Sequence, residues 1–496
     1  MSKFFPSHTN AGTPMLSRTS LRAGVLVAMA MLAGCSSLAP NYQRPEASVP
    51  SAWPSGAAYK TDTSKQTAVE LPWKSFIQDK RLQQVISLAL QNNQDLKSTL
   101  ADVAMARATY KEQRADLFPE VDAGISASRS KTQSSGTTES YEATAGLSSY
   151  EIDLFGKTRS LSNAELETYL ASNDTARSAR ITLIGETASA WLTLATDQSL
   201  LKLAQNTADN AQRDVEITQR RLKLGIDSRV DVRNAETTYH TARADIASYT
   251  TLVAQDRNAL ELLVGQSLST DLLPDGLTDQ NAWLGSVPAG VSSSVLQERP
   301  DVLAAEHNLK AANANIGAAR AAFFPSLSLT TTGGLASAAL ADLFSGGAAT
   351  IWTVAPSLSL PIFDGGANRA SLDYSKAEKD KMVATYRYTL QTAFKEVADA
   401  LARRGTIKDQ LNAEEDLVAA AQDSYNLSLD RYKNGIDSYL DTLDAQRTLY
   451  SAQQTLLSTR LTELDNRVTL YRVLGGGLVD DTTQQATTAA EVSKDE

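Results

Sequence analysis

Cysteine is almost absent from this chain of 496 residues, where Cys35 stands alone. One thiol excludes an intrachain disulfide framework and a cysteine-built zinc site. Histidine is nearly as scarce: His8, His240 and His307 are scattered. The last two fall in helical stretches without ligating neighbours and read as ordinary helix residues. Apolar runs are short. The longest, Ala23 to Gly34, has about twelve residues, below the roughly 20 that a spanning helix needs. A membrane role would therefore rest on strands or on a lipid. Basic residues do not dominate either, since 47 Lys and Arg face 57 Asp and Glu for a net charge of −10. A nucleic-acid binder would normally carry a basic stripe. Enzyme signatures are missing too: there is no Gly-x-Ser-x-Gly elbow, no phosphate loop and no His-Glu-x-x-His. Proline is lacking between Pro119 and Pro274 and again after Pro361, which leaves room for very long helices. The length itself exceeds what one core usually organises.

The N-terminus reads as an address. Lys3, Arg18 and Arg22 are the only charges before residue 35, and Met15 offers an alternative start. The apolar run then ends in Leu32-Ala33-Gly34-Cys35. A basic region, a short apolar stretch and small residues before a cut make a secretory signal. With the lone cysteine directly after them, the stretch resembles a bacterial lipobox, which implies cleavage of residues 1–34 and acylation of Cys35. Several acyl chains on one residue anchor firmly, at about 0.8 kcal/mol per buried CH₂. Ser36 in place of Asp resembles the signal for the outer membrane. Processing would move the net charge from −10 to about −13.

The remainder repeats itself at an offset of roughly 206–210 residues. Asp95 precedes Arg114-Ala115-Asp116-Leu117-Phe118-Pro119 as Asp301 precedes Arg320-Ala321-Ala322-Phe323-Phe324-Pro325. Arg221-Leu-Lys223-Leu-Gly225-Ile226-Asp227-Ser228 matches Arg431-Tyr-Lys433-Asn-Gly435-Ile436-Asp437-Ser438, and Asp231 matches Asp441. Thr182 and Glu186 pair with Thr392 and Glu396 at the same spacing. Each half predicts a helix (about 81–117 and 301–323), two strands and a long helical hairpin. Strand segments are expected near 121–127, 141–155, 326–334 and 349–363. In the first, Val121, Ala123, Ile125 and Ala127 alternate with small or acidic residues, the period of a strand with one greasy and one wet face. In the second the apolar phase slips between Leu147 and Tyr150, which a bulge would absorb. Trp352, Val354, Leu358, Leu360 and Ile362 share a face of the fourth. The hairpin helices are expected at 158–224 and 229–263, and at 367–433 and 438–474. Glycine suits the left-handed position of the Gly-Ile-Asp-Ser turns between them. Segment 35–80, a linker at 265–300 and a polar tail at 476–496 complete the layout around repeats 81–264 and 301–475.

Four strands of about ten residues match bilayer-crossing strands. A sheet in lipid must close, and known single-chain barrels start at eight strands. Several chains must therefore share one barrel; two, three and four copies all satisfy this argument.

Three stretches carry a family resemblance. One is Glu298-Arg299-Pro300-Asp301-Val302, continuing through Ile316-Gly317-Ala318-Ala319-Arg320 to Phe324-Pro325. Another is Pro361-Ile362-Phe363-Asp364-Gly365-Gly366, ending at Arg369-Ala370. The third is the pair of Gly-Ile-Asp-Ser turns. Together they resemble the TolC superfamily, and within it the OprM and NodT group of outer-membrane lipoprotein channels of resistance-nodulation-division (RND) efflux pumps. The resemblance implies a mixed α and β membrane protein. Three copies would form a homotrimer with a twelve-stranded barrel on a long α-helical periplasmic barrel and a mixed equatorial belt. It further implies a passive duct in outer-membrane lipid that conducts drugs, joined by a periplasmic adaptor to an inner-membrane RND pump, with no cofactor and no nucleic acid. Metal-ion efflux and type I protein secretion are the competing duct functions.

The hairpin tips hold the candidate site. Asp227, Asp231, Asp437, Asp441 and Asp444 cluster there, with Tyr432 before Gly435. Asp441 and Asp444 are three apart and share a helix face. In the related channels, acidic rings close the periplasmic entrance and links from the neighbouring hairpin hold it shut. The resemblance implies that Asp441 and Asp444 form such rings, and that Asp231 and Tyr432 are link positions. The link arginine of the family is replaced by Asp437; Arg229, Arg233 and Arg447 are the candidates to stand in. Gly225 and Gly435 are expected to shape the tips that the adaptor meets. Clustered like charges in a narrow ring attract cations and repel anions. Trp352 and Tyr150 read either as lipid-facing aromatics or as core.

Overall fold

A computed structural model describes residues 37–59, 71–132, 136–277, 283–288 and 292–477. The expected signal peptide, the acylation site Cys35 and the tail beyond Gly477 lie outside the described residues. The elements in chain order are α1 (Trp73–Phe76), α2 (Lys80–Asn92), α3 (Gln94–Ala115), β1 (Val121–Thr132), β2 (Gly136–Ile152), α4 (Lys157–Lys223) and α5 (Arg229–Val264), followed by α6 (Pro300–Ala321), β3 (Ser326–Ser337), β4 (Ala349–Ser359), α7 (Ala367–Lys433) and α8 (Tyr439–Val473). Short 3₁₀ turns join several of them. Both α4 and α7 run for 67 residues, about 100 Å at 1.5 Å per residue.

The chain divides into two compact units, each discontinuous in sequence. The first comprises residues 1–43, 107–168 and 309–382, so far as they are described, and contains the sheet. Its strands form an antiparallel meander in the order β1-β2-β3-β4. The register puts Val121, Ala123, Ile125 and Ala127 opposite Leu147, Ala145, Ala143 and Tyr141. Across the far pair, Gly333, Thr331, Leu329 and Leu327 face Trp352, Val354, Pro356 and Leu358. One face is thus apolar from edge to edge, yet Val121, Ile125, Trp352, Val354 and Leu358 are all exposed. Small and polar residues, from Asp122 and Ser126 to Ser357, occupy the other face. The register of β2 against β3 shifts between Leu147 and Tyr150. There Ser149 takes a φ of 52°, and its N–H bonds to Thr330 Oγ1 at 3.3 Å. The extra residue returns Tyr150 and Ile152 to the greasy face, as the phase slip in the sequence predicts.

Strand boundaries differ from the expectation in several places, and β1 runs on to Thr132. β2 begins at Gly136 rather than near 141, because Gly136–Ser140 pair with Thr132–Ser128 despite their polar character. β3 continues to Ser337, past the expected end at 334, and β4 ends at Ser359 rather than 363. In the same unit, a strap from Ser37 to Gln43 is held by side chains. Asn313 Nδ2 donates to the Pro40 carbonyl at 2.7 Å and Arg320 Nη1 to that of Leu38 at 3.0 Å.

The second unit comprises residues 44–106, 169–308 and 383–496, so far as they are described. Its core gathers Phe76, Ile77, Leu82, Ile86, Trp191, Leu192, Leu284 and Tyr471, all nearly inaccessible. Phe76 stacks on Tyr471 at 4.2 Å, and Trp191 meets Trp283 edge-on at 5.0 Å. A short bridge between Ile77 and Leu284 pairs the linker with the segment before α2.

The helix expected across 81–117 is two helices. Asp79 caps α2 by accepting from the N–H groups of Arg81 and Leu82 at 2.7 and 3.1 Å. At Asn93 the backbone leaves the helical region (φ −54°, ψ 127°), and its Oδ1 caps α3 by accepting from the Leu96 N–H at 2.8 Å. The other end of that amide donates to the Leu263 carbonyl at 2.9 Å. The repeat partner of Asn93 is Arg299, which donates to the Val473 carbonyl at 2.7 Å. Both side chains therefore tie the start of a half to the end of its returning hairpin helix. Arg299 also holds Asp301 at 2.7 Å and Glu396 at 2.9 Å.

Candidate functional site

Both hairpin tips are built by the same turn. Gly225 and Gly435 take φ of 72° and 73°, a conformation that costs a residue with a Cβ and that ends each long helix. The Ile226 and Ile436 N–H groups bond back to the Arg221 and Arg431 carbonyls, each at 2.9 Å. Those two arginines also close the turns with their side chains. Arg221 Nε sits 3.0 and 3.1 Å from the Asp227 carboxylate, and Arg431 Nη2 sits 2.8 Å from that of Asp437. The Arg431 hydrogen bond holds the Asp437 carboxyl below its ordinary range.

The first turn adds a capping box. Ser228 Oγ accepts from the Asp231 N–H at 3.2 Å, and the Asp231 carboxylate accepts from the Ser228 N–H at 2.8 Å. Asp231 is occupied within its own turn. The second turn has no such box: its serine and aspartate meet only through their side chains, Ser438 Oγ donating to the Asp441 carboxylate at 2.9 Å.

Tyr432 crosses between the hairpins. Its hydroxyl donates to the Asp227 carboxylate in a short hydrogen bond, and the Arg221 guanidinium lies 4.5 Å from its ring centre. Burial, followed by the bond to Asp227, raises the Tyr432 phenol above its usual value. The ring packs edge-on against Tyr439 at 5.2 Å, with Ala235 and Leu443 completing an apolar cluster. Further along the same contact, Arg447 reaches Thr237 at 2.9 Å, Tyr450 reaches Asp245 at 2.8 Å and Gln454 reaches the Tyr249 hydroxyl at 3.2 Å. A ladder of side-chain bonds thus joins α8 to α5.

Several expectations shift accordingly. Of the two link positions, Tyr432 meets Asp227 on the other hairpin, while Asp231 bonds to Ser228 of its own turn. Asp437 does not leave a hole where an arginine is missing, because Arg431 satisfies it locally. Of the three candidate arginines, Arg447 bonds to the other hairpin, Arg233 pairs with Glu236 on its own helix, and Arg229 is exposed. Asp441 and Asp444 are both exposed on one side of α8. His307 is not without neighbours: its Nε2 lies 3.7 Å from Asp174. Among the described residues no cluster of three or more His, Cys, Asp or Glu is placed to hold a metal ion, and no helix is long and apolar enough to cross a membrane.

An apolar-faced four-stranded sheet and paired helical hairpins with linked tips define a class: the channel-forming proteins of the bacterial outer membrane that serve efflux. The profile of the family described as outer membrane efflux protein matches residues 85–266 and 291–476. The chain belongs to that family, whose role is transport. TtgC of Pseudomonas putida, a probable efflux pump outer membrane protein, is 48% identical over 462 residues, covering 92% of this chain and 95% of that one. The outer membrane protein OprJ of Pseudomonas aeruginosa is 39% identical over 403 residues, 80% of this chain and 83% of that one. Among solved structures, a membrane protein from Pseudomonas aeruginosa shares 38% identity with a TM-score of 0.83, covering 89% of this chain and all 100% of that chain. The open state of the MtrE outer membrane channel of Neisseria gonorrhoeae shares 38% identity with a TM-score of 0.81, covering 90% and 100%.

Proposed function

We propose that three copies of this chain close a twelve-stranded barrel in the outer membrane, and that their helical hairpins extend into the periplasm as one tunnel. The carrying observation is the sheet. Its edge strands β1 and β4 have no partner on their outer sides among the described residues, and its apolar face is uncovered. Open edges are untenable in hydrocarbon, and an exposed greasy face is costly in water. The duct is passive. An adaptor meets the tips around Gly225 and Gly435, an inner-membrane RND pump supplies the energy, and acylated Cys35 adds a lipid anchor. Relatives are named for the efflux of toluene and of antibiotics, which supports small toxic organic compounds as the cargo. The tips act as the periplasmic gate: the Tyr432–Asp227 link holds the hairpins together, and Asp441 and Asp444 line the narrow mouth.

The test is insertion. Trp352→Asp or Val354→Asp, on the greasy face, should abolish the heat-modifiable trimer in outer membranes and sensitise cells to solvents. Ser357→Asp, on the other face of the same strand, should leave both intact. Equal tolerance of the substitutions would refute the membrane-wall reading.

A further inference from the structure

Back along α4 from the first tip lies a carboxyl group that the gate contacts do not use. Asp214 sits on the buried stripe of its helix, in line with Ala204, Ala208, Ala211 and Thr218, and is only 5% exposed. Carboxylates are seldom buried to that extent without a cation against them. The groups that touch this one are neutral. Gln446 Nε2, on α8, donates to it at 3.1 Å, and the Tyr425 hydroxyl, on α7, donates at 3.5 Å. Asp214 therefore joins the first hairpin to both helices of the second.

The charged groups around it are few. Arg213 on α4 and Lys433 on α7 favour its ionised form. On α8, Tyr439 lies close by, and the charge of Arg447 acts on that phenol. From α5, Ala235 packs with Tyr439 and Tyr432 and carries no charge, while the carboxylate of Asp231 bears on Tyr432. Burial outweighs the two cations and pushes the Asp214 carboxyl up to about 6.

Hydrogen-bond accounting points the same way. Gln446 Oε1 and the Tyr439 hydroxyl are buried without partners. An ionised carboxylate only accepts, so it takes the amide N–H and leaves Oε1 idle. A protonated Asp214 is a donor. The ionised group can satisfy neither oxygen, whereas the protonated group brings one donor to a site with two unpartnered oxygens; turning the Gln446 amide over would only exchange an idle acceptor for an idle donor.

We propose that Asp214 is a proton-operated lock: protonated, it seals α4 against α7 and α8 and holds the hairpins closed, and ionised, it weakens that contact and favours opening. This rests on reading the tips as the gate. The sign follows from linkage. Parting the hairpins wets the carboxyl and returns it toward its ordinary 3.8. The closed form then binds the proton more tightly than the open form, so acid favours closure. Between about pH 6 and pH 4 the ratio of closed to open gains up to tenfold per pH unit in each protomer.

Planar-bilayer recordings of the full lipidated trimer test this, with the pH on the tip side stepped from 7.5 to 5.0. The open fraction of the unaltered channel should fall about tenfold or more, and the fall should set in near pH 6, the midpoint of protonation in the closed form. Asp214→Asn, a permanent mimic of the protonated state, should stay closed and flat across the range. Gln446→Leu removes a donor to the ionised form and should move the midpoint upward by about half a pH unit or more. Asp441→Asn with Asp444→Asn should keep the fall, which separates the lock from discharge of the acidic mouth. A flat unaltered channel, or an Asp214→Asn channel that retains the fall, overturns the lock. If Asp214→Asn does not assemble, an unmoved midpoint in Gln446→Leu overturns it. Tyr432→Phe distinguishes the two layers. If that change leaves conductance unaltered, the gate reading fails and the lock with it. If conductance rises while Asp214→Asn behaves as the unaltered channel, only the lock fails.

Discussion

The Tyr432 hydroxyl on the second hairpin donates to the Asp227 carboxylate on the first, and Asp227 is simultaneously held by Arg221 of its own turn. One carboxylate thus does two jobs. The arginine fixes its position within the tip, and the phenol uses that fixed position to bridge to the other hairpin.

Tyr432→Phe should therefore loosen the bridge without unfolding the tip, because Asp227 keeps its arginine. Loss of a hydrogen bond to a charged group costs about 1.5–3 kcal/mol, or roughly tenfold or more in the open fraction. Bilayer conductance should rise several-fold while trimer migration stays unchanged. Asp227→Asn should act in the same direction and more strongly, since it also leaves Arg221 unpaired.

Asp441 and Asp444 carry no such bridge. Their predicted effect is on ions rather than on closure. Asp441→Asn with Asp444→Asn should shift the reversal potential in a salt gradient toward non-selectivity. Unchanged cation preference would remove both from the mouth of the channel.

Arg299 is a stability residue. Removing it strands Glu396 and the Val473 carbonyl beside a largely buried position. Arg299→Ala should lower the thermal midpoint and cost about 2–3 kcal/mol, allowing for the partial exposure of Asp301 and Glu396. Arg299→Lys should recover only part of this, since one ammonium lacks the fork that reaches four oxygens on three residues. In the first half, Asn93→Ala should cost about 1–2 kcal/mol through the lost cap and the lost bond to Leu263.

Much of this architecture is legible in the sequence. The ends of the long helices fall within a residue of expectation, because Gly225 and Gly435 supply the left-handed residue that ends a helix and no proline falls within the long helices. The β2 bulge was legible because a greasy face cannot change sides in mid-strand. What escaped notice was polar. The apolar stripe Leu82, Val85, Ile86, Ala89 and Leu96 runs through Asn93, so periodicity alone hides the break that its side chain makes. The pairing of Tyr432 with Asp227 rather than Asp231 depends on which carboxylate the capping box has already taken. Arg221 and Arg431 recur six residues before Asp227 and Asp437 in both halves, and that spacing carries the pair of clasps in the sequence. Asp214 was detectable as a carboxylate at helical spacing among buried alanines.

The clasps at Arg221 and Arg431, with the ties at Asn93 and Arg299, have an implication for descent. Every one of these fastenings is made inside a single half of the chain, so the half is the self-contained building block. Fusing two such blocks into one gene kept these fastenings, to which the bonds between the halves, such as Tyr432 to Asp227 and Arg447 to Thr237, are additional. It left each copy free to exchange the residue that does the work, an amide in one and a guanidinium in the other, without disturbing its twin.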